Sequence, residues 1–365
     1  MIPFLRNSTP WFAFLVHLRG SQDADRVGVG RFLRAYSDDV QDFERKLESL
    51  PAIISSEVRF RSSSAYGEVI CINRLPEHMI KAEARLDVVE AAHLAIKRGA
   101  KVIGLGALTA PATGGGLTIM REMPPNVTVT NGNALTAAIV RSNVAAASEF
   151  LCGSDPGKIK VAIVGCTGSV GAAATRLLAS QGYDLILIGR NKQRAEREFP
   201  EISKVTYSGG VADVRNADIS VLLTNDPAAH VTPEMPREGS IVIDCSQPLN
   251  IQPTAYPEFA RRGIAVVEGG MVRIPDYSST DNFGFSCRTE TFSCLAETYL
   301  FARCGIREHS IGRCKAEDAL RMERMAERFG IQPRPLKFSL EPLSNPAPAT
   351  GAVMKSTAVA LAPVV

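Results

Sequence analysis

The stretch VAIVGCTGSVGAAATRLLAS, residues 161–180, decides the fold. An apolar run comes first, then Gly165, Gly168 and Gly171 at three-residue spacing, then an Ala-rich stretch with helical character. A buried strand, a tight turn and a helix fit that order. The first glycine permits the turn, the second lets backbone approach a pyrophosphate, and the third lets helix pack on strand. Free N–H groups at the helix start add a seat for an anion. Gly165, Thr167, Gly168, Ser169, Val170 and Gly171 are therefore expected to hold a dinucleotide. A merely structural turn is the competing reading, and the strand, loop, helix and second strand falling in order weigh against it.

Downstream, the pattern repeats. DLILIGR, KVTYS, ISVLLTN, SIVIDCS and IAVVEGG are apolar runs separated by helical segments or turns. Fully apolar strands alternating with helices imply a parallel sheet covered on both faces, the doubly wound Rossmann architecture of an α/β protein. The second strand of such a sheet selects the dinucleotide. An acidic residue there would hold a ribose 2′-hydroxyl; this chain has Arg190 and Asn191, followed by Lys192 and Arg194. A guanidinium grips a 2′-phosphate bidentately, which favours NADPH. The alternative is that Arg190 caps the sheet edge and only stacks on adenine. Thr224 and Asn225 end the fourth strand, Asp244 ends the fifth and Gly270 follows the sixth. All four are expected to border the cofactor crevice.

Upstream, residues 11–151 mix β-rich runs (FAFLVHL, SEVRF, EVICINRL, KVIGLGAL, NVTVTN) with amphipathic helical stretches, a second α/β pattern. The small polar segment CGSDPGK, residues 152–158, breaks a long helix and marks a boundary. The expected organisation is a substrate domain over 1–152, a Rossmann domain over 153–285, a helical segment over 286–340, and a Pro- and Ala-rich tail over 341–365 expected to be flexible.

Composition excludes several classes. With 41 basic and 38 acidic residues the net charge is +3, too small for a nucleic-acid binder. The apolar patch at residues 11–16 is too short to span a bilayer, so no integral membrane segment is expected. Eight cysteines at irregular spacing include no C-x-x-C pair, and none forms a zinc-ligand pattern with histidine. A reducing cytoplasm and no metal are the expectation.

In such a compartment a thiol is either a small hydrophobe or a reagent. Cys166 lies inside the phosphate loop and reads as structural; Cys71, Cys152, Cys287, Cys304 and Cys314 read as packing residues. Cys245, after Asp244, and Cys294 remain. Cys294 falls in the first turns of a helix expected to begin near Thr289 or Thr291, where the macrodipole favours thiolate.

The segments WFAFLVHLRG, RLPEHM, GLGALTA, TNGNALTA, VAIVGCTGSVG, LIGRN, VVEGGMV, FSCLAE and ERFGIQP together resemble the long-chain acyl-(acyl carrier protein) reductases of cyanobacteria. The GN-x-x-TA and FxCxAE segments are the specific ones. The resemblance implies NADPH-dependent reduction of an acyl thioester to an aldehyde, with acyl carrier protein or coenzyme A bearing the acyl group and Cys294 as the acyl-accepting nucleophile. Cys245 falls on a family glycine. Asn133 and Thr136 are candidates for orientation or oxyanion contact, or simply cap the helix that starts there. His17 matches a family position, although a histidine beside an apolar strand is commonly a core residue. Leu135 stands where the family has histidine, and Pro111–Gly116 also departs from the pattern, so a shorter or functionalised acyl group is a possible substrate. Carrier proteins are acidic, so Arg261 with Arg262, or Lys97 with Arg98 and Lys101, are candidate docking residues.

Two other readings compete. A shikimate-dehydrogenase-like enzyme of a small alcohol or ketone would need a proton relay, with Lys81 or Lys97 serving. A dinucleotide-binding protein without catalysis would need neither lysine nor cysteine.

Overall fold

Strands β6 to β11 (Lys160–Val164, Asp184–Ile188, Val205–Ser208, Ile219–Leu222, Ile241–Asp244, Ala265–Glu268) form an all-parallel sheet in a computed structural model of the chain. The structure describes residues 11–340 apart from 27, 62–65, 154, 225, 227–228, 282 and 286. The sheet order is β11-β10-β9-β6-β7-β8. Counted from β6, that is the doubly wound order with its switch point between the first and fourth strands. Apart from Lys160 at the start of β6, the central strands β6, β9 and β10 are buried throughout, as apolar runs without alternation require.

A second sheet precedes it. Its strands are β1 to β5 (Phe12–His17, Ile53–Phe60, Tyr66–Ile72, Val102–Leu105, Thr128–Thr130) plus β13 (Tyr277–Ser279), in the order β13-β2-β3-β1-β4-β5. β3, β1, β4 and β5 run parallel, whereas β2 and β13 are antiparallel to their neighbours. The C-terminal ends of the parallel strands therefore share one edge. A small antiparallel sheet, β14-β12-β15 (Glu290–Phe292, Met271–Arg273, Gln332–Pro333), sits beside it.

Two helices tie the sheets together. The helix Asn133–Cys152 gives Leu135 and Ile139 to the first core and Val140, Val144 and Ala147 to the second. The helix Ser293–Arg303 packs Leu295, Ala296, Tyr299 and Leu300 into the first core. It starts later than Thr289 or Thr291, because residues 290–292 extend to pair with Met271–Arg273. Cys294 is consequently its second residue. The expected tail at 341–365 lies outside the described residues.

Candidate active site

The glycine-rich turn adopts the geometry its spacing requires. Gly165 has φ +90°, and a Cβ there would stand 2.6 Å from the Leu223 carbonyl oxygen. A Cβ on Gly171 would stand 2.2 Å from the Gly165 carbonyl oxygen. The turn thus admits no side chain at either point, and the helix Ser169–Ser180 begins with no side chain capping its first amides. Beside it, Gly165, Arg190, Thr224 and Asp226 line a recess of about 220 Å³. Arg190 is 87% exposed there, with Nε 3.3 Å from an Asp226 carboxylate oxygen. Open backbone, a helix start and an exposed guanidinium beside one recess fit a phosphorylated dinucleotide.

Between the two sheets lies a cleft of about 590 Å³, lined by Gly168, Ser169 and Val170 on one side and by Asn133, Thr136, Ser293 and Cys294 on the other. Cys294 also lines a smaller, mostly apolar pocket of about 90 Å³ at the C-terminal edge of the first sheet. The cysteine therefore stands where the two meet. Its approach to the neighbouring loop is close: Gly132 has φ +69°, and a Cβ there would stand 2.2 Å from the Cys294 Cβ.

Electrostatics run against the helix-dipole expectation. Burial pushes the Cys294 thiol up to about 12, opposed by the Leu295 backbone N–H and reinforced by the nearby Glu297 carboxylate. The resting thiol is protonated. Cys166 is buried in the second core, with its thiol also pushed up to about 12 by burial, so it faces packing atoms rather than a cofactor. Cys245 lines the cleft, and burial with the Asp244 charge drives its thiol up as well.

Three expected site residues, Asp244, Asn191 and His17, have other employment. Asp244 is fully buried, its carboxylate accepting from the Ser246 N–H at 3.0 Å and the Ile251 N–H at 2.8 Å. It shapes the loop after β10 instead of bordering the crevice, and burial raises it to about 6. Asn191 caps the helix Lys192–Glu198 by accepting from the Arg194 N–H at 2.9 Å. Thr224 stays on the dinucleotide side, lining the recess beside Arg190 and not the cleft at Cys294, and its hydroxyl accepts from the Asp226 N–H at 3.2 Å. His17 lines the apolar pocket, but Nδ1 lies 2.6 Å from the Leu18 carbonyl oxygen and Nε2 accepts from the Leu108 N–H at 3.2 Å. With burial holding it down near 4, the ring is neutral and both nitrogens are occupied, so it is no proton-transfer group. Asn225 lies outside the described residues.

The remaining expected residues bind the halves of the site together. The Asn133 side chain donates to the Ser169 hydroxyl at 2.9 Å, joining the first half to the phosphate-loop helix. The Thr136 hydroxyl donates to the Gly132 carbonyl at 2.7 Å and lies 2.8 Å from the Ser293 hydroxyl, so it orients the start of the cysteine helix. Gly270, at φ +74°, donates to the Asn143 side chain at 3.0 Å and accepts from the Ser293 N–H at 3.1 Å. The Thr167 carbonyl accepts from Arg313 at 3.2 Å. Leu135 points into the first core, fully buried.

Two site residues escaped sequence reasoning. Glu297 is fully buried one turn beyond Cys294, accepting from the Thr130 hydroxyl at 2.5 Å and the Leu135 N–H at 2.7 Å. Burial raises it, while those donors pull it back. Its position as the last letter of FxCxAE was the available signal. Arg313, paired with Glu198, lines the cleft beside the phosphate loop and had no local pattern to announce it. Among the candidate docking residues, Arg98 is tied to the buried Glu68 at 2.6 Å, whereas Arg261 and Arg262 are exposed. Among the described residues, no cluster of three histidine, cysteine or carboxylate side chains could hold a metal, and no helix is long and apolar enough to cross a membrane.

No family model matches the chain. Among curated proteins, it is 29% identical to the aminotransferase PigE of Serratia sp. (strain ATCC 39006) over 259 residues, 68% of this chain. That match spans only 30% of the aminotransferase's length. It is 28% identical to the long-chain acyl-[acyl-carrier-protein] reductase of Synechococcus elongatus (strain ATCC 33912 / PCC 7942 / FACHB-805) over 275 residues, covering 72% of this chain and 78% of that one. Among solved structures, L-tryptophan dehydrogenase from Nostoc punctiforme aligns at TM-score 0.41 and 15% identity over 88% of this chain and 80% of that one. Shikimate dehydrogenase from Aquifex aeolicus aligns at TM-score 0.36 and 11% identity over 72% and 88%.

Proposed function

We propose that this chain is an NADPH-dependent oxidoreductase that reduces an acyl thioester, carried by acyl carrier protein or coenzyme A, to an aldehyde through an acyl-enzyme on Cys294. The observation that carries the reading is the position of Cys294, with one cavity leading to the phosphate loop and another, apolar one beside the first sheet. A thioester could present its acyl chain to the apolar side and its carrier arm to the cleft. The reductase named among the relatives supports the same chemistry.

The chain's own groups account for much of it. Cys294 gives up its proton and attacks the thioester carbonyl; the carrier thiolate leaves and takes up a proton, so the exchange balances. The Cys294 and Leu295 amides at the start of the cysteine helix point toward the sulfur and are suited to an oxyanion formed beside it. When bound, NADPH supplies a hydride to the acyl carbon. Collapse of the tetrahedral adduct releases aldehyde and returns Cys294, which regains a proton. Thr136 and Gly270 orient the helix start through Ser293, and Asn133 keeps it in register with the phosphate loop.

The small-alcohol dehydrogenase reading draws less support, since Lys81 and Lys97 are both exposed and neither lines the cleft. The test is direct. Protein mixed with an acyl-coenzyme A thioester and no NADPH should gain the acyl mass on the tryptic peptide spanning residues 289–303. Cys294→Ala should lose both that adduct and NADPH oxidation while still binding NADPH. Turnover surviving in Cys294→Ala, or label on Cys245, would overturn the mechanism.

A further inference from the structure

The pocket beside Cys294 is apolar where Phe14, Val16 and Phe292 line it, but it does not stay apolar. Phe14 and Val16 lie two residues apart on β1 and so share a face of the first sheet. Beyond the strand end, the lining becomes Arg19 with Asp23 and Asp281. Arg19 is held by Asp23: Nε and Nη2 donate to its two carboxylate oxygens at 3.0 and 3.1 Å, and Nη2 also donates to the Phe283 carbonyl at 3.1 Å. Asp281 accepts from the Phe283 N–H at 3.1 Å. Among the described residues lining this end, two carboxylates face one guanidinium, and the neutral His17 adds nothing to the positive side. This end of the lining is therefore net negative.

We propose that this pocket selects a short to medium acyl chain whose far end carries a hydrogen-bond donor, a hydroxyl or an ammonium. The inference rests on the acyl-thioester reading above and adds the substrate class. Size sets the length: at roughly 10–15 Å³ for each water-sized group, a pocket of about 90 Å³ holds about six to nine such groups. Chemistry sets the terminus. A bare methyl pushed against this end would strip water from the Asp281 carboxylate and give nothing back, whereas a hydroxyl or ammonium replaces the lost hydrogen bonds. A long alkyl chain is thus rejected by volume and again by desolvation.

The experiment measures acylation of the full chain, without NADPH, by acetyl-, hexanoyl-, 6-hydroxyhexanoyl-, 6-aminohexanoyl- and palmitoyl-coenzyme A, using intact mass. Both ω-substituted chains should react several-fold faster than hexanoyl and at least tenfold faster than palmitoyl. In Asp281→Leu the advantage of the ω-substituted chains over hexanoyl should vanish; in Asp281→Asn the amino chain should lose more than the hydroxy chain. Ser55→Leu, which fills the pocket from β2, should slow all six-carbon chains while sparing acetyl, and it serves if the Asp281 variants fail to fold. Palmitoyl matching the six-carbon chains, or ω-groups without advantage, overturns the substrate class and leaves the reductase reading standing. No acylation by any of the five thioesters overturns both.

Discussion

Cys294 holds its proton in the resting protein because burial outweighs the helix start, and this sets a pH dependence. Thiolate is the reactive form, so alkylation of Cys294 by iodoacetamide, followed by peptide mapping, should climb about tenfold per pH unit from pH 7 to 10 without levelling, given a thiol at about 12. A plateau near neutrality would show a thiolate already formed. Cys287, whose thiol is pulled down by hydrogen bonds with Thr289, is the internal contrast and should react at lower pH. Arg190→Ser should weaken NADPH binding about tenfold and leave NADH binding unchanged, because a charged hydrogen bond to the 2′-phosphate is lost. Equal losses with both dinucleotides would refute that contact. His17 supplies a third prediction. Its folded value, about 4, lies below the ordinary 6.5, so the unfolded chain takes up the proton first as pH falls, and stability present above 6.5 drains away toward 4. Urea unfolding should find His17→Gln costly at pH 7, with the cost smaller by about 3 kcal/mol at pH 4. A pH-independent cost would mean the imidazole charges freely in the fold.

At the level of elements, the site depends on how closely one loop approaches one helix. Gly132→Ala puts a methyl 2.2 Å from the Cys294 Cβ and strains a residue at φ +69°. Loss of about 1–3 kcal/mol in stability is expected, with acylation abolished and NADPH binding kept, since the Gly165 turn is untouched. Differential scanning calorimetry and intact-mass acylation read the two effects separately. The strand, turn and helix at residues 161–180 were legible in the sequence because every interaction that shapes them is local. Asp244 was not, because a carboxylate at a strand end serves a ligand or the next loop equally well, and only the folded loop shows Ser246 and Ile251 donating to it. The acidity of Cys294 was misjudged for a related reason. The dipole that lowers it belongs to its own helix, whereas the burial that raises it comes from chain distant in sequence.

Taken whole, the molecule has two sheets and no clean cut between them. The boundary at residues 152–153 reads well by composition, yet Val140, Val144 and Ala147 upstream of it fill the core beneath the parallel sheet. A fragment beginning at Gly153 should therefore expose that apolar face and aggregate in gel filtration; a soluble, monomeric fragment would show that the helix is dispensable to the second core. The helix that breaches the boundary also has a bearing on inheritance. Because it closes both cores and its first residue latches the phosphate-loop helix, neither half can be traded for that of a distant cousin as a ready-made cassette. Recombination that respects the fold must move the pair together.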